Sequence, residues 1–239
     1  MIDSAAPIFL SVAMPAYNEE ASIDSVIRDH VKVLESIGGA ISQWEIVCVD
    51  DGSIDRTPAI LKNLQLSVPQ LRIVRQENQG ITGALSRALR ETRGTHVYCT
   101  GSDGQWPASN LTPMLSAIQT GSDLVVGVRI NRHEVYTVFR RCISRVFNYV
   151  PRLLFGVDVG DAGSIKLGIR DVFVFDLLSS SPFLEAERII KAKRCGFQVT
   201  FVPIQFRART GGEASGVSWK NIRSSISDLF RCLEVYSPV

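Results

Sequence analysis

Apolar positions along this chain of 239 residues fall into two alternating patterns. Short, nearly unbroken apolar runs at 8–14, 45–49, 71–74, 95–100 and 124–128 read as strands buried on both faces. Between them the apolar residues recur at helical spacing. Ile23, Val26, Ile27, Val31 and Leu34 make one face of a helix running to Ile37. Asn18 is its expected cap, Glu19 and Glu20 suit its positive end, and Gly38-Gly39 stops it. Asp55 or Ser53 caps a second helix with Pro58 in its first turn, Gln79-Gly80 opens a third to about Thr92, and 110–119 is a fourth. Such alternation predicts one α/β domain with a mostly parallel central sheet flanked by helices. Ligands of such sheets bind outside the carboxyl ends of the strands. Segments 15–18, 50–53 and 100–105 all follow strand ends, so they can converge on one crevice.

The second half has a different texture. Residues 129–152 hold six arginines (Arg129, Arg132, Arg140, Arg141, Arg145, Arg152), no lysine and one acid, Glu134. Val135, Val138, Phe139, Cys142, Val146 and Val150 recur there at helical spacing, with Arg140, Arg141 and Arg145 off that face. A glycine-rich stretch at 156–168 carries Asp158 and Asp161. A short helix at 171–178, a helix at 183–195 stopped by Gly196, and a strand at 198–207 follow. Residues 209–218 read as a mobile loop and 219–235 as an amphipathic helix with Ile222, Ile226, Leu229, Phe230 and Leu233 on one side. With no repeat and no linker, residues 1–239 are expected to form a single domain. It divides into a ligand-binding half at about 8–128, a second half at 129–218, and the terminal helix at 219–239.

Composition narrows the function. An apolar content of 45% and a charged content of 21% are ordinary for a globular protein. A net charge of +2 gives no reason to expect a nucleic-acid partner. The five cysteines form no C-x-x-C pair, and three sit inside apolar runs, which suggests buried free thiols in a reducing compartment. No apolar run reaches the roughly 18–20 residues of a membrane span, and no signal-peptide pattern precedes Ile8. A cytoplasmic protein, soluble or peripheral on a membrane, is therefore expected. No P-loop and no G-x-G-x-x-G follows a strand, which argues against an NTPase or a dinucleotide enzyme. His30, His96 and His133 show no metal spacing and read as structural or surface residues.

The candidate chemistry centres on 96–107. Asp103 and Gln105, two apart, can point the same way and offer oxygens to a hard cation and, through it, to a phosphate. The plainer alternative is a solvated Asp-Gly turn. Asp50 and Asp51 are adjacent carboxylates at a strand end; they either hydrogen-bond a ligand such as a base or ribose, or build a turn and cap. The arginines either face solvent or present planar forks to phosphate oxygens.

Pro15-Ala16-Tyr17-Asn18-Glu19, Val49-Asp50-Asp51-Gly52-Ser53 and Ser102-Asp103-Gly104-Gln105-Trp106-Pro107 together resemble the inverting family 2 glycosyltransferases of GT-A fold. Within that family the chain looks most like the polyprenyl-phosphate (dolichyl-phosphate) sugar transferases, over about residues 8–215. The resemblance implies a nucleoside diphosphate sugar bound by Pro15, Ala16, Tyr17, Glu19, Asp50, Asp51, Ser102 and Asp103. It implies Mg²⁺ or Mn²⁺ at Asp103 and Gln105, the surviving members of a D-x-D-x-Q pattern in which Gly101 takes the first acid's place. It implies donor or acceptor phosphates at Arg129, Arg140 and Arg209, and an acceptor contact at Ser164. That serine lies in Gly160-Asp161-Ala162-Gly163-Ser164, which matches D-x-x-S-G-F loosely, with Ile165 in the aromatic position. Asp103, Arg129, Arg140 and Asp161 are the expected catalytic group.

Glu185 and Glu187 lack the following Asp that many hydroxyl-acceptor members of the family carry. A phosphate acceptor needs no strong base, because its second pKa is near ~6. This favours a polyprenyl phosphate acceptor at the cytoplasmic membrane face, with an anionic lipid surface as a further partner; oligomeric state is left open. Two other readings stand beside it. One is transfer to a hydroxyl of a glycan or metabolite, with Asp161 or Glu187 as base. The other is non-catalytic nucleotide-sugar binding, motivated by Gly101, in which Gly101→Asp would restore activity.

Overall fold

The structure is a computed structural model that describes residues 7–131, 138–209 and 219–236, without the side chains of 138–143, 146 and 220. Seven strands form one sheet in the order β3-β2-β1-β4-β6-β5-β7. They are β1 (Ile8–Ala16), β2 (Ile41–Asp50), β3 (Leu71–Arg75), β4 (His96–Cys99), β5 (Leu124–Arg129), β6 (Lys166–Ile169) and β7 (Val199–Ile204). All pairings are parallel except those of β6, which runs antiparallel between β4 and β5. β1 lies between β2 and β4, with Val12 in register with Ile46 on one side and Tyr98 on the other. Leu10, Val12, Ala13 and Met14 are fully buried for that reason. The unbroken apolar runs thus have the cause inferred from the sequence: strands covered on both faces.

Helices α1 (Ile23–Ser36), α2 (Thr57–Ser67) and α4 (Leu111–Gln119) cover one face, packing Ile23, Ile27, Leu61, Leu64, Leu111 and Met114 onto Leu10, Val12 and Ile46. The other face packs against α3 (Gly80–Glu91), α5 (Val138–Phe155), α6 (Arg170–Phe173), α7 (Leu184–Arg194) and α8 (Trp219–Tyr236). Each face is a separate apolar cluster, as a three-layer arrangement requires.

Five sequence expectations change. The glycine-rich stretch contains β6, whose four residues Lys-Leu-Gly-Ile are all buried; so short a strand with a lysine and a glycine carries no periodic signal. Asn18 does not cap α1. It adopts φ of 53°, its side-chain carbonyl accepts the Ile54 N–H at 2.9 Å, and the helix starts at Ile23. The helix expected at 171–178 ends at Phe173, because the Leu178 and Ser179 N–H groups donate to Glu187 instead. Cys48, Cys99 and Cys232 are buried free thiols, but Cys195 is exposed. Neither Asp55 nor Ser53 is the N-cap of α2: that position is Arg56, and Asp55, one residue earlier, accepts the Thr57 N–H at 2.9 Å. The 210–218 loop, Arg132, His133 and the side chains of Arg140, Arg141 and Cys142 lie outside the described residues.

Candidate functional site

Because β2, β1 and β4 are parallel neighbours, their carboxyl ends deliver three polar turns to one edge of the sheet. The turns are stitched to one another. The Asp51 N–H donates to the Ala16 carbonyl at 2.9 Å, and the Ser102 hydroxyl donates to the Pro15 carbonyl at 2.8 Å. The Asn18 N–H donates to the Ser53 hydroxyl at 3.0 Å, and Ser22 donates to the Ser102 carbonyl at 2.9 Å. Pro15 and Ala16 are buried under this lattice, and Tyr17 stands 44% exposed beside it. Pro15, Ala16, Asp50, Asp51, Ser102 and Asp103 are therefore brought together.

Their carboxylates have different jobs. Asp50 accepts the Ser53 N–H at 2.9 Å and lies 3.5 Å from the Arg75 guanidinium, so it builds the turn that the Asp-Gly-Ser sequence suggested. Asp51 accepts from the Gln76 side chain at 2.7 Å and the Gln79 N–H at 2.9 Å, fixing the loop before α3. Gly52 permits that proximity: its φ is +77°, and a Cβ there would meet the Asn78 nitrogen at 3.0 Å. Glu19 is buried, donates its N–H to Thr57 at 2.8 Å, and pairs its carboxylate with Ser22 and Arg209. Burial pushes the Glu19 carboxyl above its ordinary value, only partly offset by Arg209 and Ser22.

Asp103 is half-buried. Its Oδ1 accepts the Gln105 N–H at 3.1 Å, and its Oδ2 lies 4.0 Å from Arg209 Nε. Arg209 therefore spans Glu19 and Asp103, a meeting of residues 190 apart in sequence that only β7 can bring about. The Gln105 amide nitrogen donates to the Arg207 carbonyl at 3.2 Å, which leaves its oxygen as the atom a cation would take. An acid at position 101 would press on Trp106: a Cβ there would lie 3.2 and 3.3 Å from its Cδ1 and Nε1. Among the described residues no three or more His, Cys, Asp or Glu side chains are grouped so that they could hold a metal ion. One carboxylate and one amide oxygen suit a hard cation that arrives with substrate phosphates, rather than one caged by protein alone.

Opposite this wall, at the end of β5, Arg129 makes a paired contact with Asp161, its Nε 2.6 Å from Oδ2. Asp161 is fully buried, and the Arg129 guanidinium sits 5.4 and 5.2 Å from the ring centres of Trp106 and Phe206. Ser164 follows in the same loop, its hydroxyl buried without a hydrogen-bond partner, an arrangement that costs free energy unless a ligand uses it. Arg140 belongs to the first turn of α5, but its side chain is not among those described. Trp106 was legible as part of the motif; its stacking partner Phe206 had no local signal at all.

Glu185 and Glu187 do not form a solvated face. Glu187 is fully buried and accepts from the Leu178 N–H (2.7 Å), the Ser179 N–H (2.8 Å) and the Tyr236 hydroxyl (3.1 Å). Glu185 pairs with Lys166 at 2.5 Å. A separate cleft of about 660 Å³, lined by Ser180, Trp219, Arg223 and Asp228 among others, lies against α8.

Comparison with known proteins gives the family and the fold. The model of glycosyl transferase family 2 matches residues 11–174. A dolichyl-phosphate hexose transferase of Haloferax volcanii is 31% identical over 204 residues, covering 84% of each chain. An undecaprenyl-phosphate 4-deoxy-4-formamido-L-arabinose transferase of Salmonella paratyphi B is 27% identical over 98% of this chain and 70% of its own. Among solved structures, glucosyl-3-phosphoglycerate synthase from Mycobacterium tuberculosis in complex with phosphoglyceric acid superposes with a TM-score of 0.73 at 21% identity, over 97% of this chain and 82% of that one. The same enzyme in complex with Mn²⁺, uridine diphosphate and glucosyl-3-phosphoglycerate gives 0.69 at 21% identity, over the same shares. The GT-A fold expected from the motifs is the fold of this chain.

Proposed function

The chain belongs to glycosyl transferase family 2 and is a glycosyltransferase; we propose that it transfers a sugar, with inversion, from a nucleoside diphosphate sugar to a polyprenyl phosphate at a membrane surface. The observation that carries the acceptor is the state of the acceptor-side carboxylates. Asp161 is held by Arg129, Glu185 by Lys166, and Glu187 by two backbone amides and Tyr236. A hydroxyl acceptor must lose its proton to a base; a phosphate acceptor is already an anion at neutral pH. These three acids are committed elsewhere, so the phosphate acceptor fits better. The Haloferax and Salmonella relatives, named for dolichyl and undecaprenyl phosphates, point the same way.

In this reading the three stitched turns bind the donor. Asp51 with the 15–19 loop takes the nucleoside, and Ser102 and Asp103 face the diphosphate. Asp103 and Gln105 would hold Mg²⁺ or Mn²⁺, which when bound supplies charge to stabilise the departing diphosphate. Arg209 adds a second positive charge on that side. Arg129, fixed by Asp161 and by two rings, is the cation proposed for the acceptor phosphate beside the Ser164 hydroxyl, and Arg140 is the proposed third cation. The acceptor phosphate oxygen bonds to the anomeric carbon as the bond from that carbon to the diphosphate oxygen breaks, releasing the nucleoside diphosphate. Charge stabilisation by groups fixed beforehand is the main contribution asked of the protein.

The test incubates the protein with a panel of labelled nucleotide sugars, Mn²⁺ or Mg²⁺, and undecaprenyl phosphate. The expected result is a chloroform-soluble labelled product, and its loss by a factor of about 100 or more in Asp103→Ala. Transfer only to water-soluble acceptors would overturn the acceptor assignment, and unchanged transfer by Asp103→Ala would overturn the metal role.

A further inference from the structure

Lys166 stands on β6 with 1% of its surface exposed, and neither donor binding nor the transfer step described above uses it. An ammonium has three N–H donors. All three are committed: to the Ala162 carbonyl at 2.6 Å, the Ser164 carbonyl at 3.0 Å and Glu185 Oε2 at 2.5 Å. Two carbonyls on either side of Gly163 are thus drawn to one charge. That fixes both peptide planes of a loop whose other contacts face the site. The Asp161 carbonyl accepts the Ser164 N–H at 2.9 Å, the Asp161 carboxylate holds Arg129, and a Cβ on Gly163 would lie 3.9 Å from the Arg129 guanidinium.

We propose that Lys166, anchored by Glu185 of α7, is the positioning residue of the acceptor loop, setting the Ser164 hydroxyl and the Asp161–Arg129 pair in place for the acceptor phosphate. The role assigned to the loop rests on the function proposed above. A buried ion pair is an expensive way to fill space, since apolar residues of similar volume are often as good or better for stability. Here the pair supplies what apolar residues cannot, two hydrogen bonds to backbone carbonyls that would otherwise be buried unsatisfied. Glu185 is suited to the anchor. Burial alone would raise its carboxyl, but Lys166 and Arg188 outweigh that and hold it below the ordinary value.

Lys166→Met alone would strand the Glu185 charge, so the test uses the double variant Lys166→Met/Glu185→Leu, which removes both charges of the pair and leaves the buried Arg188 on the Val172 and Phe173 carbonyls. Amide hydrogen exchange in the substrate-free protein is expected to quicken by about tenfold or more at 160–165, with β1 and β2 unchanged. With undecaprenyl phosphate and the nucleotide sugar turned over in the screen, the acceptor KM is expected to rise about tenfold or more while the donor KM stays put. Unchanged exchange at 160–165, or an unchanged acceptor KM, overturns the proposal. If the wild-type protein transfers to no polyprenyl phosphate, the function proposed above falls, and the exchange arm alone decides the role of Lys166.

Discussion

Asp103 and Gly101 show how much a single side chain can decide. The D-x-D-x-Q pattern lacks its first acid, and the sequence invites the repair Gly101→Asp. The packing argues against it, because the new Cβ would crowd the Trp106 ring edge at 3.2 and 3.3 Å, and that ring supports Arg129. Gly101→Asp is therefore expected to lower transfer rather than raise it, read as initial rate against wild type at saturating Mn²⁺; a gain would mean that Trp106 yields. A second residue-scale prediction concerns His30. It is 1% exposed, its Nδ1 lies 2.7 Å from the Val26 carbonyl, to which it donates, and its Nε2 has no partner. Burial holds its pKa below the ordinary 6.5. The unfolded chain thus binds a proton that the folded one refuses as pH falls through 6.5. Stability from this group is present above that value and declines below it, by up to about 1.4 kcal/mol per pH unit. Urea midpoints measured between pH 7.5 and 5 should fall less steeply in His30→Leu than in wild type.

Whole elements depend on side chains that the sequence presented as candidates for chemistry. Glu187 stood as a possible base, yet it binds the end of the 174–179 segment and the last turn of α8 to α7. Glu187→Ala would take away the acceptor shared by the Leu178 and Ser179 N–H groups and the Tyr236 hydroxyl, three part-buried bonds to one carboxylate. A loss of about 3 kcal/mol in unfolding free energy is expected from equilibrium denaturation. Transfer by the fraction still folded should be little changed, whereas a general base would lose its rate with stability intact. The placement of β6 is the other element-scale lesson. An antiparallel strand of four residues between two parallel neighbours has too few positions for a period to show. Its pairing partners, β4 and β5, supply the hydrogen bonds that hold it extended.

At the scale of the molecule, among the described residues no helix is long and apolar enough to cross a membrane. What the surface does offer is α8, with Trp219 83%, Ile226 50% and Phe230 62% exposed and Arg223 and Arg231 beside them. It packs on α5, where Tyr149 and Leu153 are 61% and 69% exposed. An amphipathic helix with aromatic residues and arginines suits the headgroup layer of anionic lipid. The protein is expected to cosediment with phosphatidylglycerol vesicles and far less with phosphatidylcholine vesicles. Trp219→Ser/Phe230→Ser should weaken that binding severalfold; equal sedimentation with both lipids would count against the lipid surface.

Sequence alone determined the alternation of strands and helices, the burial of the strands on both faces, and the three polar turns at the ends of β1, β2 and β4. Those features are local: a strand covered on both sides must be apolar along its length, and a polar residue at its end announces the exit. Asp51, Asp103 and Gln105 stand in those turns, and the roles proposed for them rest on the resemblance of their motifs to family 2. Tertiary structure decided everything that joins distant segments. It brought Arg209 to Glu19 and Asp103, stacked Phe206 and Trp106 about Arg129, and turned Glu185 and Glu187 inward. No spacing rule encodes such contacts, because β6 reverses direction and β7 arrives from the far end of the chain. Whether a carboxylate is a base, a ligand or a brace depends on which donors the fold places within about 3 Å of it.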